Sequence, residues 1–144
     1  MFMGQYQNSI DSKNRMIVPA KFRNQLGEGC VITVSFDKKC LTIYSTDYWE
    51  ERSEKLNVIP QAYTGIHNFR RMLFSNAEVC TFDKQGRIII PDNLIKSANI
   101  KKELVTMGVG PQIEVWAKEI WDQPENYEPV DIDSVADTLA GFGF

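Results

Sequence analysis

Hydrophobic and polar positions follow one pattern through the first third of the chain. Gln5–Ile10 alternates as a strand with one buried face does, and the polar stretch Asp11-Ser12-Lys13-Asn14-Arg15 then interrupts it as a tight turn. The apolar run Met16–Val18 predicts a second strand, and Pro19 suits the first position of a helix, where a missing N–H costs nothing. Phe22 and Leu26 fall on one face of that helix. Strands are predicted again over Val31–Phe36 and Cys40–Tyr44, around Asp37-Lys38-Lys39, and a further helix begins at Asp47.

The pattern then recurs. Displacing the chain by 72 residues lays Ile10-Asp11-Ser12-Lys13-Asn14-Arg15-Met16-Ile17-Val18-Pro19 over Phe82-Asp83-Lys84-Gln85-Gly86-Arg87-Ile88-Ile89-Ile90-Pro91. The same displacement lays Phe22 on Leu94, Val31–Val34 on Glu103–Thr106, Leu41–Tyr44 on Ile113–Trp116, and Trp49 on Trp121. Asn14 and Gly86 match in the turn, and both tolerate positive φ, as short hairpin loops require. The second copy therefore predicts strands over Glu78–Phe82, Ile88–Ile90, Leu104–Met107 and Gln112–Trp116, with helices after Pro91 and from Lys118. Residues 1–56 form the first repeat, 57–74 a linker that is helical after Pro60, 75–127 the second repeat, and 128–144 an acidic tail. A ββαββ unit of about 45 residues is too small to close a core alone. Two copies can interleave their hairpins into one barrel with internal pseudo-two-fold symmetry, which sets both polar turns at related places.

Charge changes the picture of the partner. Sixteen Lys and Arg against 19 Asp and Glu give a net −3. Seven of those acids lie from Glu119 onward, where there is no Lys or Arg, so residues 1–118 hold 16 basic and 12 acidic side chains, or +4. A mildly basic body with an acidic end fits a nucleic-acid binder, and fits equally a neutral domain with a solvated tail. Cys30, Cys40 and Cys80 form no C-x-x-C pair and read as thiols in a reducing cytosol, with neither a disulfide framework nor a zinc site. No apolar run approaches the roughly 20 residues of a membrane helix, and the N-terminus lacks secretory character, so a cytoplasmic location is expected.

The two turns, each followed by a strand ending in Val18-Pro19 or Ile90-Pro91, carry a resemblance over essentially the whole chain. The chain resembles the MraZ family, within the AbrB-like swapped-hairpin barrels. The resemblance implies an α+β, mainly β fold: a double-split, swapped-hairpin β-barrel of two ββαββ repeats with peripheral helices. It also implies a ring-like homo-oligomer that regulates transcription of the division and cell-wall gene cluster, its own gene included. Such a protein binds repeated boxes in promoter double-stranded DNA and associates with the nucleoid. In the family the Asp-x-x-x-Arg loops contact DNA, which carries over to Asp11 and Arg15 and to Asp83 and Arg87.

The residues themselves allow two readings of each loop. An arginine can pair with the aspartate four residues back and merely order its own turn, which is worth little when exposed. It can also offer its planar fork to a phosphate or to the O6/N7 edge of guanine. The readings are compatible if Asp orients the guanidinium. Lys13, Asn14, Lys84 and Gln85 lie at the tips as base or phosphate contacts or as solvated turn residues. Lys21 and Arg23, on the first helix, suit phosphate contacts or plain surface, and their proximity in sequence favours the first loop as the stronger contributor. His67 stands alone as the only histidine, Gly108-Val109-Gly110-Pro111 is a hairpin turn and not a phosphate loop, and no paired carboxylates suggest acid–base work. No enzyme, cofactor, metal or small-molecule substrate is expected. The rival reading is a protein-interaction module, since related barrels serve as antitoxins that hold a partner with an extended acidic tail.

Overall fold

The computed structural model describes residues 1–123, 125 and 130–144. Its strands are β1 (Gln5–Ser9), β2 (Arg15–Ile17), β3 (Gly29–Val34), β4 (Leu41–Tyr44), β5 (Glu78–Thr81), β6 (Arg87–Ile89), β7 (Glu103–Gly108) and β8 (Ile113–Ala117). Its helices are α1 (Ala20–Leu26), α2 (Thr46–Asn57), α3 (Ile66–Ser75), α4 (Asp92–Ser97), α5 (Lys118–Trp121) and α6 (Ile132–Gly141). The expected boundary at 127 and 128 lies outside the described residues.

Six strands form an antiparallel sheet in the order β1-β7-β8-β4-β3-β5, and β2 pairs with β6 as a separate ribbon. The halves exchange strands: the first strand of each pairs with the third strand of the other. Leu41 beside Val115 and Ile43 beside Ile113 mark the pseudo-two-fold in the sheet, and Arg15 beside Ile89 with Ile17 beside Arg87 marks it in the ribbon. The fold is mixed α and β, as expected, but two details differ. Helical residues outnumber strand residues, because α2, α3 and α6 are each ten residues or longer. The ladders also do not close into a barrel. Each ribbon strand, bounded by a turn and a proline, runs three residues, and one isolated bridge, Ile10 to Met16, joins the ribbon to β1's end of the sheet.

The repeat register also slips. Gln7 lies beside Val105, whereas its counterpart Val79 lies beside Val31, so Val31 is equivalent to Val105 and not to Glu103. The loop from Val34 to Leu41 is two residues longer than that from Gly108 to Ile113, which restores the 72-residue spacing by β4 and β8. A slip of two leaves side chains on the same faces of the strand, so the hydrophobic pattern does not register it.

Two layers cover the sheet. On one side the ribbon, α1 and α4 enclose the main core, in which Met16, Val18, Phe22, Ile88, Ile90 and Leu94 are at most 1% exposed. Two strands of three residues are not stable alone. The ribbon is held because Met16 and Ile88, its inward side chains, sit in that core. On the other side α2 and α3 cover β3 and α5 covers β7 and β8, with a small cluster of Cys40, Val105, Met107 and Trp116 beside Ile120 and Trp121. Covered on both faces, β3 and β4 are almost wholly buried.

Local chemistry sets the helix ends. Pro19 and Pro91 occupy the position before the helix, with extended ψ of 135° and 145°, and not its first turn as expected. The Ser45 hydroxyl accepts the Tyr48 N–H at 3.2 Å and starts α2. The linker helix begins at Ile66, after Gly65 at φ 82°, later than Pro60 suggested. Arg70, on α3, donates to the carbonyls of Leu56, at 2.8 Å, and Ile59, tying α3 to the end of α2.

Candidate nucleic-acid interface

Both Asp-x-x-x-Arg turns are built the same way. One Asp11 carboxylate oxygen, Oδ1, accepts the backbone N–H groups of Lys13 and Arg15, each at 2.9 Å, and Oδ2 accepts Arg15 Nε at 2.7 Å. In the second turn Asp83 Oδ1 accepts Gln85 and Arg87 N–H at 2.9 Å, and Oδ2 accepts Arg87 Nε at 2.7 Å. The backbone crosses from Asn14 at φ 62° and Gly86 at φ 77°, the left-handed conformation that asparagine and glycine tolerate. Each carboxyl is held below its ordinary range, first by the backbone N–H of the arginine and then by its guanidinium and the second N–H. The aspartate thus sets the turn and aims the arginine. Among the described residues no Nη atom of either arginine makes a hydrogen bond. Each fork is left to donate outward.

The ribbon places these arginines together. Side chains alternate across its two faces, so Met16 and Ile88 point into the core while Arg15, Ile17, Arg87 and Ile89 share the outer face. Arg87 Nη1 comes within 4.0 Å of Asp11 Oδ2, so the turns touch across the pseudo-axis. Ile17 and Ile89 are 53% and 63% exposed, unusual for isoleucine beside a packed core. Reasoning from charge alone passed over them. The signal was the period-two alternation of Arg15-Met16-Ile17-Val18, which sends Ile17 to the same side as Arg15.

Beyond the ribbon the two turns have different neighbours. Asn14 Nδ2 donates to Asp92 Oδ1, on α4, at 2.6 Å. Arg23, on α1, leans over the second turn: its Nη1 is 3.4 Å from the Gln85 carbonyl and would lie 1.2 Å from a Cβ on Gly86. Arg23 therefore belongs beside the second loop and not the first, contrary to its place in the sequence. Strand exchange is the cause, since it packs each repeat's helix against the other's turn. Lys13 and Lys84 are exposed at the two tips, Gln85 is exposed with Lys84, and Lys21 is exposed on α1.

Other candidates do not gather into a site. The three thiols are buried and free, with Cys30 and Cys80 registered partners on β3 and β5. Among the described residues no cluster of three His, Cys, Asp or Glu could hold a metal ion, and no helix is long and apolar enough to cross a membrane. His67 is exposed and contacts Arg71 on its own helix.

Known proteins resemble the chain over nearly its whole length. A family model described as "MraZ protein, putative antitoxin-like" matches residues 1–64 and 73–141. The chain is 42% identical over 142 residues to the transcriptional regulator MraZ of Caldanaerobacter subterraneus subsp. tengcongensis, covering 99% of both chains. It is 41% identical over 143 residues to the transcriptional regulator MraZ of Clostridium tetani, again covering 99% of both. With the protein of that name from Clostridium acetobutylicum the identity is 39% over 143 residues, at the same coverage.

Proposed function

The chain belongs to the MraZ family, and from that premise we propose that it is a sequence-specific DNA-binding transcriptional regulator whose β2–β6 ribbon reads the major groove. The carrying observation is the outer face of the ribbon, where Arg15 and Arg87 are aimed by Asp11 and Asp83 and flanked by exposed isoleucines. A two-stranded ribbon fits the major groove, arginine forks match the O6/N7 edge of guanine or a phosphate, and apolar side chains suit the thymine methyl. Lys13, Lys84, Lys21 and Arg23 serve the phosphates around that face, with Asn14 and Gln85 at the tips.

One subunit offers few contacts and binds weakly, with steep salt dependence. We place several copies in a ring, so that linked ribbons engage successive promoter boxes and gain affinity through effective concentration. The target on this reading is the promoter of the division and cell-wall cluster, including the protein's own gene, in the cytoplasm at the nucleoid. Relatives named transcriptional regulators and the exchange of strands between the repeats 1–56 and 75–127, joined through 57–74, support the reading and a swapped-hairpin architecture. The test is gel retardation of the DNA upstream of its own gene. Replacing Arg15 and Arg87 together with alanine is expected to abolish the shift while the oligomer's mass and circular dichroism stay unchanged. Normal retardation by that double variant refutes the site.

A further inference from the structure

The acidic C-terminal segment, an extended tail in the partner-holding reading, is helical over Ile132–Gly141 and has none of its residues buried. Ile132, Val135, Leu139 and Phe142 succeed one another at three- and four-residue steps and so form a single apolar stripe. Ile132 is 64% and Phe142 87% exposed. Asp131, Asp133 and Asp137 supply its charge, and it carries no lysine or arginine. Such a stripe does not stay in water without cost.

The body holds a matching surface. Between α2, α3 and the β3–β4 hairpin lies an open cleft of about 340 Å³, walled by Phe36, Trp49, Leu56, Ile66, Phe69 and Leu73. The charged residues on its lining, Arg52 and Lys55, are both basic. Ser53 also lines it, and its buried Oγ finds no hydrogen-bond partner among the described residues. A buried hydroxyl without a partner is costly and marks a place where an incoming polar group gains.

We propose that α6 of one copy of this chain seats its apolar stripe in the α2–α3 cleft of a neighbouring copy, its aspartates toward Arg52 and Lys55. The helix and the cleft are different surfaces, so the contact is head-to-tail, the kind that closes into a ring when the rotation allows. The lone chain leaves both surfaces uncovered. The ten residues between Trp121 and Ile132 let α6 lie up to about 33–36 Å from the end of α5. The proposal rests on the oligomeric reading above.

The experiment mixes full-length Leu139→Cys chains with Ile66→Cys chains under mild oxidation. A dimer on a non-reducing gel, beyond that formed by either variant alone, is expected. In light scattering Leu139→Asp is expected to fall to the 16.5 kDa of the single chain, with the thermal midpoint of the body retained. If one chain bearing both cysteines links only within itself, the helix covers its own cleft and the proposal is overturned. It is overturned alone if the unmodified protein is oligomeric, Leu139→Asp has the same mass and the mixture gives no added dimer. A single-chain mass for the unmodified protein overturns the oligomeric reading with it. Capture of a different protein in the cleft, with mass unaffected by Leu139→Asp, also overturns it.

Discussion

The two polar turns agree in every internal distance and differ in what lies beside them. In each, an aspartate accepts two backbone N–H groups at 2.9 Å and one guanidinium Nε at 2.7 Å. The first turn then meets an acid, Asp92, and the second a base, Arg23. The inside of a turn is made by residues within five positions of one another, so duplication copies it. Its neighbours are delivered by strand exchange from the other repeat, and there the copies were free to diverge. The difference tilts the ribbon's charge: the second turn gains a cation, and the first gains a carboxylate that repels DNA.

The largest expected effects separate the arginines. Arg15→Ala and Arg87→Ala, made singly, should each weaken promoter binding by about ten- to a hundredfold, the range for loss of one bidentate base contact. Measured by retardation at fixed salt, a near-normal value for either one breaks the equivalence of the loops. Thermal unfolding tests the backbone next. Gly86→Ala should destabilise by about 1–2 kcal/mol, since it strains a positive φ and displaces Arg23. Asn14→Gly keeps the φ and loses only the exposed bond to Asp92, so its midpoint should move less.

Smaller effects sharpen the charge difference. Arg23→Ala should weaken binding evenly across DNA sequences and lower the salt slope by about 1, as loss of a phosphate contact does. Asp92→Asn should raise affinity a few-fold at low salt, and the gain should fade as salt screens the pair. A change in the same direction at both positions would mean that the two turns do not differ in the charge they present to DNA. The smallest effect concerns pH. Asp11 and Asp83 have depressed pKa values in the fold, so their contribution is fully present above the ordinary carboxylate range and is lost only as pH falls through the lowered values. Acid titration of the midpoint should therefore show no term from the turns between about pH 6 and 8. Asp11→Asn with Asp83→Asn should flatten the decline at low pH.

Much of this was legible in the residues. The duplication, the strands within each copy and the Asp–Arg pairing come from alternation and short spacings, because hairpins and turns are made by near neighbours. The two-residue slip in the third strands was not legible, since a period of two conceals a shift of two. Four-residue α5 against twelve-residue α2 shows the limit from another side: Trp49 and Trp121 align, yet the helices that carry them stop at different lengths.

The amino-acid sequence by itself determined that there are two turns of one Asp-x-x-x-Arg pattern, each able to point an arginine outward. Only the tertiary structure decided that Arg15, Ile17, Arg87 and Ile89 stand on one face and that Arg23 serves the far loop. Those placements depend on pairing between strands about 70 residues apart, which is chosen by burying Met16 and Ile88 in a common core and is written in no local pattern.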